Sequence, residues 1–218
     1  MKYTSTARFA LASLAAFAAA TLPHDASARA LYIQAGKLLD VDTGKELSGQ
    51  CVLTQDDKIV RIESCGAAPA GTEIVNWQAY TVLPGLIDMH THLADVGESA
   101  DVAEPINTSP AATALLGAMH ARQTLEAGFT TVRDVGTYRG LTDVALKNAI
   151  AADEVPGPRM FVAGAYITSP GGGGEVNGVM PNDQLPPDMR LGVVTNAQDA
   201  HDKAEFLFGH GADFLKLI

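Results

Sequence analysis

Two histidines separated by one residue, His90 and His92, directly follow an apolar segment of the chain. In an extended segment the side chains of such a pair project from the same side, so both imidazoles can reach one metal ion. A His-x-His pair alone also occurs at surface and structural positions, so its context decides between these interpretations. Here the pair closes the stretch LPGLIDMHTH at residues 83–92, at the carboxyl end of a predicted buried strand. The sequence therefore makes the pair a candidate metal site.

The segment before this pair is predicted to consist of strands. Between residues 31 and 83, short apolar runs are separated by Gly, Asp and Pro, which is typical of an all-β segment. Two of the runs form a predicted hairpin with its turn at Asp56 and Asp57. The runs cover residues 31–35, 51–55, 58–63, 72–77 and 80–83.

After Pro84 the pattern changes to alternating strands and helices, which indicates parallel βα units. Ser109 and Asn196 are predicted helix N-caps, and a long Gly-rich loop at residues 166–196 is expected to be functional. The predicted strands are residues 85–89, 129–133, 159–163 and 213–218, and the predicted helices are 110–127, 142–152 and 197–208. The apolar stripe of the first helix is predicted to contain Leu115, Leu116, Met119 and Leu125.

With these landmarks the chain resembles the amidohydrolase superfamily of metal-dependent hydrolases. Besides residues 84–92, the resemblance rests on AGFTTVRDVG at 127–136, GPR at 157–159 and GADFLK at 211–216. Within the superfamily the chain is most similar to the imidazolonepropionase-like branch, which includes dipeptidases that release C-terminal Pro, Arg or Lys. The resemblance implies an α/β fold: the first half of a (β/α)8 TIM-type barrel, preceded by part of a small β-sandwich domain.

The resemblance also divides the chain into a β-sandwich portion at residues 29–83 and a half-barrel at residues 84–218. A barrel of this type needs ~250 residues, whereas about 135 follow Pro84. The family pattern calls for two further His ligands and an Asp general base, all expected beyond Ile218. We therefore expect a truncated fragment that is inactive alone.

For the site, the resemblance implies one or two metal ions, usually zinc, with other divalent metals left open. His90 and His92 match the first ligands, and Lys216 matches a lysine that is carboxylated to N6-carboxylysine and bridges two metals. Lys216 shares a predicted strand face with Phe214 and Ile218, where a bare ammonium would be costly. The alternative is a gatekeeper charge on an edge strand. The implied chemistry is hydrolysis of a C–N bond by a metal-activated hydroxide.

The implied substrate is a small molecule or dipeptide with a peptide or amide bond. Two alternatives remain open: a mononuclear cyclic amide hydrolase of the imidazolonepropionase type, and an inactive, truncated metal-binding remnant. A net charge of −10 and a pI near 4.9, without a Lys/Arg cluster, argue against binding nucleic acid through phosphate neutralisation. A homo-oligomer of the full-length protein is left open.

The first 28 residues are interpreted as a cleaved signal peptide. Lys2 and Arg8 make a basic start, residues 9–22 are apolar or small, and small residues surround Ala28. The apolar run is shorter than the ~20 residues that span a bilayer. We therefore expect a periplasmic or secreted protein with no membrane association after cleavage.

Export would place the two cysteines, Cys51 and Cys65, in an oxidising compartment. They flank the predicted hairpin, whose tight turn pairs Cys51 nearer to Ile62 than to Cys65. A disulfide therefore needs a bend or bulge after Ile62, and two buried free thiols are the alternative.

Several other polar residues are weaker candidates for a functional role. Asp88 is expected to be a structural carboxylate or one that orients a ligand imidazole. Arg133 and Asp134 end the second predicted strand, where we expect a structural pair, with a place at the mouth of the site as the alternative. Glu175 and Asn177, in the Gly-rich loop, are weak candidates for substrate contact. The remaining histidines of the mature chain, His120, His201 and His210, are predicted to be solvated or capping residues.

Overall fold

A computed structural model describes residues 29–96 and 101–218 of the chain. It forms two compact units that divide between Leu83 and Pro84. The predicted signal peptide at residues 1–28 lies outside the described residues. Within the described ranges, no helix is both long enough and apolar enough to cross a bilayer.

The first unit contains a five-stranded sheet. Strand β1 pairs antiparallel with β2 and β3 and parallel with β5, and β4 continues the sheet beyond β3. The sandwich predicted for this unit stays a prediction, because the described strands belong to one sheet. Their bounds are β1 (Ala30–Asp40), β2 (Lys45–Ser48), β3 (Gln50–Gln55), β4 (Lys58–Ser64) and β5 (Glu73–Val82).

The predicted strands of this unit are observed with two differences. Strand β2 is absent from the prediction because its residues are exposed and mostly polar, so they form no apolar run. The predicted runs at 72–77 and 80–83 form the single strand β5. Its register with β1 shifts at Gly36, where the backbone of Gln78 approaches too closely to admit a Cβ atom.

Cys51 and Cys65 form a disulfide, with their Cα atoms 4.9 Å apart. The register of β3 with β4 shifts by one residue near the hairpin turn, so Cys51 lies opposite Glu63. The irregularity thus precedes Ile62, rather than following it as the prediction required. The alternative of two buried free thiols is wrong.

The second unit combines parallel strands with helices. Strands β6 (Leu86–Thr91), β7 (Phe129–Asp134) and β8 (Arg159–Val162) form a parallel sheet in that order. β9 (Tyr166–Ile167) and β10 (Lys216–Leu217) form a second parallel pair. The α/β class is confirmed, and the arrangement is consistent with part of a TIM-type barrel. The helices are α1 (Glu104–Asn107), α2 (Pro110–Glu126), α3 (Thr142–Ala151) and α4 (Ala197–Gly209).

Both predicted helix caps are present. The Ser109 hydroxyl accepts the N–H of Ala112 at 3.2 Å at the start of α2. The Asn196 side-chain carbonyl accepts the N–H of Asp199 at 3.0 Å at the start of α4. These bonds satisfy N–H groups that have no partner within the helix.

The predicted apolar stripe of α2 is wrong. Leu115 is 75% exposed, whereas the buried residues of the helix are Thr113, Gly117 and Ala121. A Cβ on Gly117 would lie 3.1 Å from Ala94. The helix packs through its small residues because its neighbours approach closely, so a pattern of large side chains could not identify the buried face.

A buried carboxylate joins α3 to the chain after β8. Asp143 accepts the N–H of Gly164 at 2.8 Å and that of Val144 at 2.7 Å. Burial raises the pKa of Asp143 to about 6, although its backbone hydrogen bonds act in the opposite direction. Asp143 is therefore a buried carboxyl group that loses its proton near pH 6.

Candidate metal centre

The three sequence-predicted metal ligands line one cavity of about 260 Å³. His90 is the penultimate residue of β6 and His92 directly follows that strand, whereas Lys216 begins β10. The two imidazole rings lie with their centroids 5.4 Å apart. The cavity is completed by Asp95, Tyr138, Tyr166 and Ile218. Side chains far apart in sequence thus meet at the ends of parallel strands.

The segment that carries His92 is held by a buried carboxylate at the end of β7. Asp134 accepts the backbone N–H of Leu93 at 2.5 Å and the hydroxyl of Thr91 at 3.3 Å. Burial, together with the charge of Asp143, raises the pKa of Asp134 well above its usual range. Asp134 therefore fixes the chain on both sides of His92.

The predicted pairing of Arg133 with Asp134 is wrong. Successive residues of a strand face opposite sides, so Asp134 points to the segment around His92 and Arg133 does not. The Arg133 guanidinium donates to the Met89 carbonyl at 2.9 Å and lies 5.4 Å from the ring centroid of Phe214. Asp88 accepts the backbone N–H of His90 at 3.0 Å, so it fixes the backbone of that ligand candidate.

A hydrogen-bonded network that sequence analysis missed lies behind His92. Its Nδ1 is 3.0 Å from the Gly136 carbonyl and 3.0 Å from the Tyr166 hydroxyl. Tyr166 in turn donates to the carboxylate of Asp95 at 2.9 Å. Burial raises the pKa of the Asp95 carboxyl, against the lowering effect of the donors around it, and raises that of the Tyr166 hydroxyl.

The Gly-rich loop packs against this network. A Cβ on Gly174 would lie 2.5 Å from Cβ of Tyr166 and 2.9 Å from a side-chain carbon of Ile218, so the backbone itself forms part of the wall. Tyr138 donates to the carbonyl of Gly173 at 3.2 Å and stacks edge-on against Tyr166, with ring centroids 5.0 Å apart. The loop is thereby attached to the cavity.

Glu175 has a structural role in this loop. Its buried carboxylate lies 3.1 Å from Nε of Arg190 and accepts the N–H of Gly171 at 2.8 Å. Asn177 donates to the Glu175 carbonyl at 2.8 Å. Both side chains also border a neighbouring cavity of about 250 Å³ that includes Tyr138. Their contacts within the loop explain its ordered path, and substrate contact by these residues stays a prediction.

The other histidines differ in their surroundings. His120 is half-buried and its Nδ1 lies 2.9 Å from the Leu93 carbonyl, so the prediction of a solvated or capping residue is wrong for it. His210 caps α4 as predicted, with Nδ1 2.7 Å from the Phe206 carbonyl. His201 is exposed and, with Asp202 and Glu205, forms a cluster of metal-type ligands on the surface of α4.

Parallel strands joined by helices, with imidazoles at the carboxyl end of β6, are the arrangement that the sequence resemblance implied. Residues 81–209 match the family model of the amidohydrolase family, and the chain belongs to this family. The resemblance identified from the sequence motifs is thus confirmed.

The chain is similar to only a part of each of its relatives, which are longer proteins. The dihydroorotase of Syntrophus aciditrophicus is 32% identical over 123 residues, which are 53% of this chain and 26% of that protein. The crystal structure of a Xaa-Pro dipeptidase with bound methionine is 30% identical with a TM-score of 0.75, over 86% of this chain and 46% of the dipeptidase. A prolidase bound to N-methylphosphonate-L-proline shares the fold at 22% identity, with a TM-score of 0.73, over 86% of this chain and 46% of that one. The chain therefore spans about half the length of the solved structures that it matches.

The donor set of the cavity fits a divalent metal such as zinc. Imidazole nitrogens are common zinc ligands, and a lysine becomes an anionic oxygen ligand only after carboxylation. Because Nδ1 of His92 is already engaged by Gly136 and Tyr166, its Nε2 is the nitrogen left for a metal. The residues that would hold the ion are His90, His92 and Lys216.

Proposed function

We propose that the protein is a metal-dependent amidohydrolase that hydrolyses a C–N bond, with zinc as one or two ions held by His90, His92 and Lys216. The observation that carries this proposal is the meeting of the three side chains in one cavity at the ends of parallel strands. When bound, the metal would supply an activated water as nucleophile and polarise the scissile carbonyl. Membership of the amidohydrolase family supports the reaction class.

The chain's own residues would prepare this site in two ways. The imidazoles of His90 and His92 would each offer a nitrogen lone pair to the metal. Carboxylation of Lys216 would replace a cation, which repels a metal ion, with an anionic carbamate, which attracts it. The half-buried position of Lys216 beside both imidazoles supports this role.

The substrate that we propose is a small peptide or amide, such as a dipeptide. The similarity to a Xaa-Pro dipeptidase supports this choice. A cyclic amide is the second candidate, supported by the similarity to dihydroorotases. A dipeptide panel with C-terminal Pro, Arg and Lys, assayed on the full-length protein beside dihydroorotate, separates the two candidates.

The metal assignment is tested on the 218-residue chain. Zinc content is measured by elemental analysis after loading and desalting, in the wild-type chain and in His90→Ala/His92→Ala. The matched control is His201→Ala, because His201 belongs to the exposed surface cluster on α4. We expect zinc to fall to near background in the double variant and to stay unchanged in the control. Undiminished zinc in the double variant would refute the assignment, and loss in the control would move the site to α4.

We also propose that the protein is exported, to the periplasm or outside the cell. The disulfide between Cys51 and Cys65 supports this location, because disulfides persist in oxidising compartments. Expression of the full chain in a bacterium with a periplasm, followed by mass spectrometry, should give a mature N-terminus close to Ala28. Retention of Met1 in the periplasmic fraction would contradict cleavage.

A further inference from the structure

His92 has two oxygen atoms at equal distance from one of its ring nitrogens, Nδ1. The Gly136 carbonyl and the Tyr166 hydroxyl each lie 3.0 Å from Nδ1. We propose that Tyr166, anchored on Asp95, is a positioning residue that keeps the proton of His92 on Nδ1 and so presents Nε2 to the metal. The role of Nε2 as a metal ligand rests on the proposed function. The position of the proton does not, because it is a property of the metal-free chain.

The proton follows from counting donors and acceptors. A carbonyl oxygen only accepts, so a hydrogen bond between Nδ1 and Gly136 requires the proton to be on Nδ1. The Tyr166 hydroxyl has one proton, and it donates this proton in a hydrogen bond to the Asp95 carboxylate at 2.9 Å. The hydroxyl oxygen then has only lone pairs to offer to His92. Both neighbours of Nδ1 are therefore acceptors.

The opposite tautomer would lose both contacts. With the proton on Nε2, the Nδ1 lone pair would face the Gly136 carbonyl, and Tyr166 would have to abandon Asp95 in order to donate to the ring. Asp95 is itself held by the backbone N–H groups of Val96 at 2.7 Å and Tyr138 at 3.2 Å. Its acceptor oxygens are therefore fixed before Tyr166 bonds to them.

The position of Tyr166 in the fold brings it to His92 and Lys216, two proposed ligands that are distant from it in sequence. It begins β9 and is the register partner of Lys216 in β10, so it lies between two proposed ligands. Its ring is packed between Tyr138 and the backbone of Gly136, which restricts its rotation. Metal-bound histidines commonly donate their second N–H to an oxygen acceptor, which fixes both tautomer and ring orientation.

The test reads the tautomer directly in the metal-free 218-residue chain. Histidine is labelled with ¹⁵N, and two-bond ¹⁵N–¹H correlations are recorded at a pH where imidazole is neutral. A His92→Gln spectrum assigns the signal. The variant is Tyr166→Phe, which removes the hydroxyl and keeps the ring. The control is Tyr80→Phe, which removes the same hydroxyl from an exposed tyrosine of β5 in the first unit.

We expect His92 of the wild-type chain to carry its proton on Nδ1. In Tyr166→Phe the ratio of the Nδ1–H to the Nε2–H form should fall about fivefold, the effect of one lost hydrogen bond. The zinc dissociation constant should rise about tenfold, as for loss of other groups that orient a ligand. Tyr80→Phe should change neither quantity.

Two results would overturn the inference. One is a wild-type spectrum with the proton on Nε2, which needs no variant and so decides the question even if Tyr166→Phe does not fold. The other is an unchanged tautomer ratio in a folded Tyr166→Phe chain. A proton on Nδ1 in a wild-type chain that binds no zinc would instead refute the proposed metal site and leave the tautomer assignment standing.

Discussion

Replacement of Asp143 by Asn should remove part of the pH dependence of folding in the second unit. Asp143 is fully buried and its pKa is raised to about 6 from an ordinary value of 3.8. The folded state thus holds the proton more tightly than the unfolded chain does. The free energy of unfolding is therefore highest, as far as this group is concerned, below about pH 4, and it falls as the pH rises through 6.

The size of the effect follows from the shift in pKa. One unit corresponds to about 1.4 kcal/mol, so a shift of about two units gives a loss of about 3 kcal/mol between pH 4 and pH 7. The amide introduced by Asp143→Asn does not ionise, so the variant should lose about 3 kcal/mol less over this range. The charge of Asp143 also raises the pKa of Asp134. Removing that charge should lower the pKa of Asp134 and so reduce further the stability that the variant loses between pH 4 and pH 7.

The absolute stability of the variant is a poorer measure than its pH dependence. The Asp143 oxygens accept N–H groups from Val144 and Gly164, and Asn has only one acceptor oxygen. One buried N–H would lose its partner, which costs about 1–3 kcal/mol at every pH. This constant cost cancels when the variant is compared with itself at two pH values.

The assay is urea unfolding followed by circular dichroism at 222 nm, at several values between pH 4 and pH 7. This signal reports helices, and every helix of the described residues lies in the second unit. Asp57→Asn, at an exposed turn in the first unit, is the control and should follow the wild-type chain. Parallel pH profiles of the wild-type chain and Asp143→Asn would refute the reasoning.

Three further predictions concern other parts of the chain. The zinc-loaded chain supplied with ¹³C-bicarbonate should show a carbamate signal by NMR that is lost in Lys216→Arg and kept in the exposed Lys58→Arg, and a signal that survives Lys216→Arg would contradict the ligand assignment. Residues 31–218 alone should not hydrolyse dipeptides with C-terminal Pro, Arg or Lys, and turnover by a monodisperse monomer would show that the expected fragment is a working enzyme. Replacement of Cys51 and Cys65 by Ala should lower the unfolding free energy of the first unit by about 3 kcal/mol, because the disulfide closes a loop with a sequence separation of 14 residues. Unfolding in urea is followed by the fluorescence of Trp77, and an unchanged midpoint would contradict the prediction.

The sequence was sufficient for those parts of the site that depend on local order. His90 and His92 are two residues apart at the end of a strand, so their common direction follows from strand geometry. Ser109 and Asn196 cap their helices through bonds to residues three positions ahead. Such contacts are readable because they join neighbours in the sequence.

The parts that sequence reasoning missed depend on long-range contacts. Tyr166 is 74 residues from His92 and 71 from Asp95, and no periodicity links the three positions. The buried face of α2 was missed for a different reason, since Gly117 and Ala121 carry little apolar surface and are buried by close approach. Tertiary contact, rather than hydrophobicity, selects these residues.

The run of four glycines at residues 171–174 should respond unevenly to random mutagenesis. Gly172 and Gly174 meet neighbouring atoms at distances that no side chain tolerates, so a library selected for folded chains should retain glycine at both. Gly173 would place its Cβ at an ordinary 3.4 Å from Ile218, so alanine should pass the selection there. Gly171 has open space but a φ of +75°, which admits asparagine more readily than valine. Variation in the shape of this wall among related sequences should therefore come from the flanking residues, with the two crowded glycines kept unchanged.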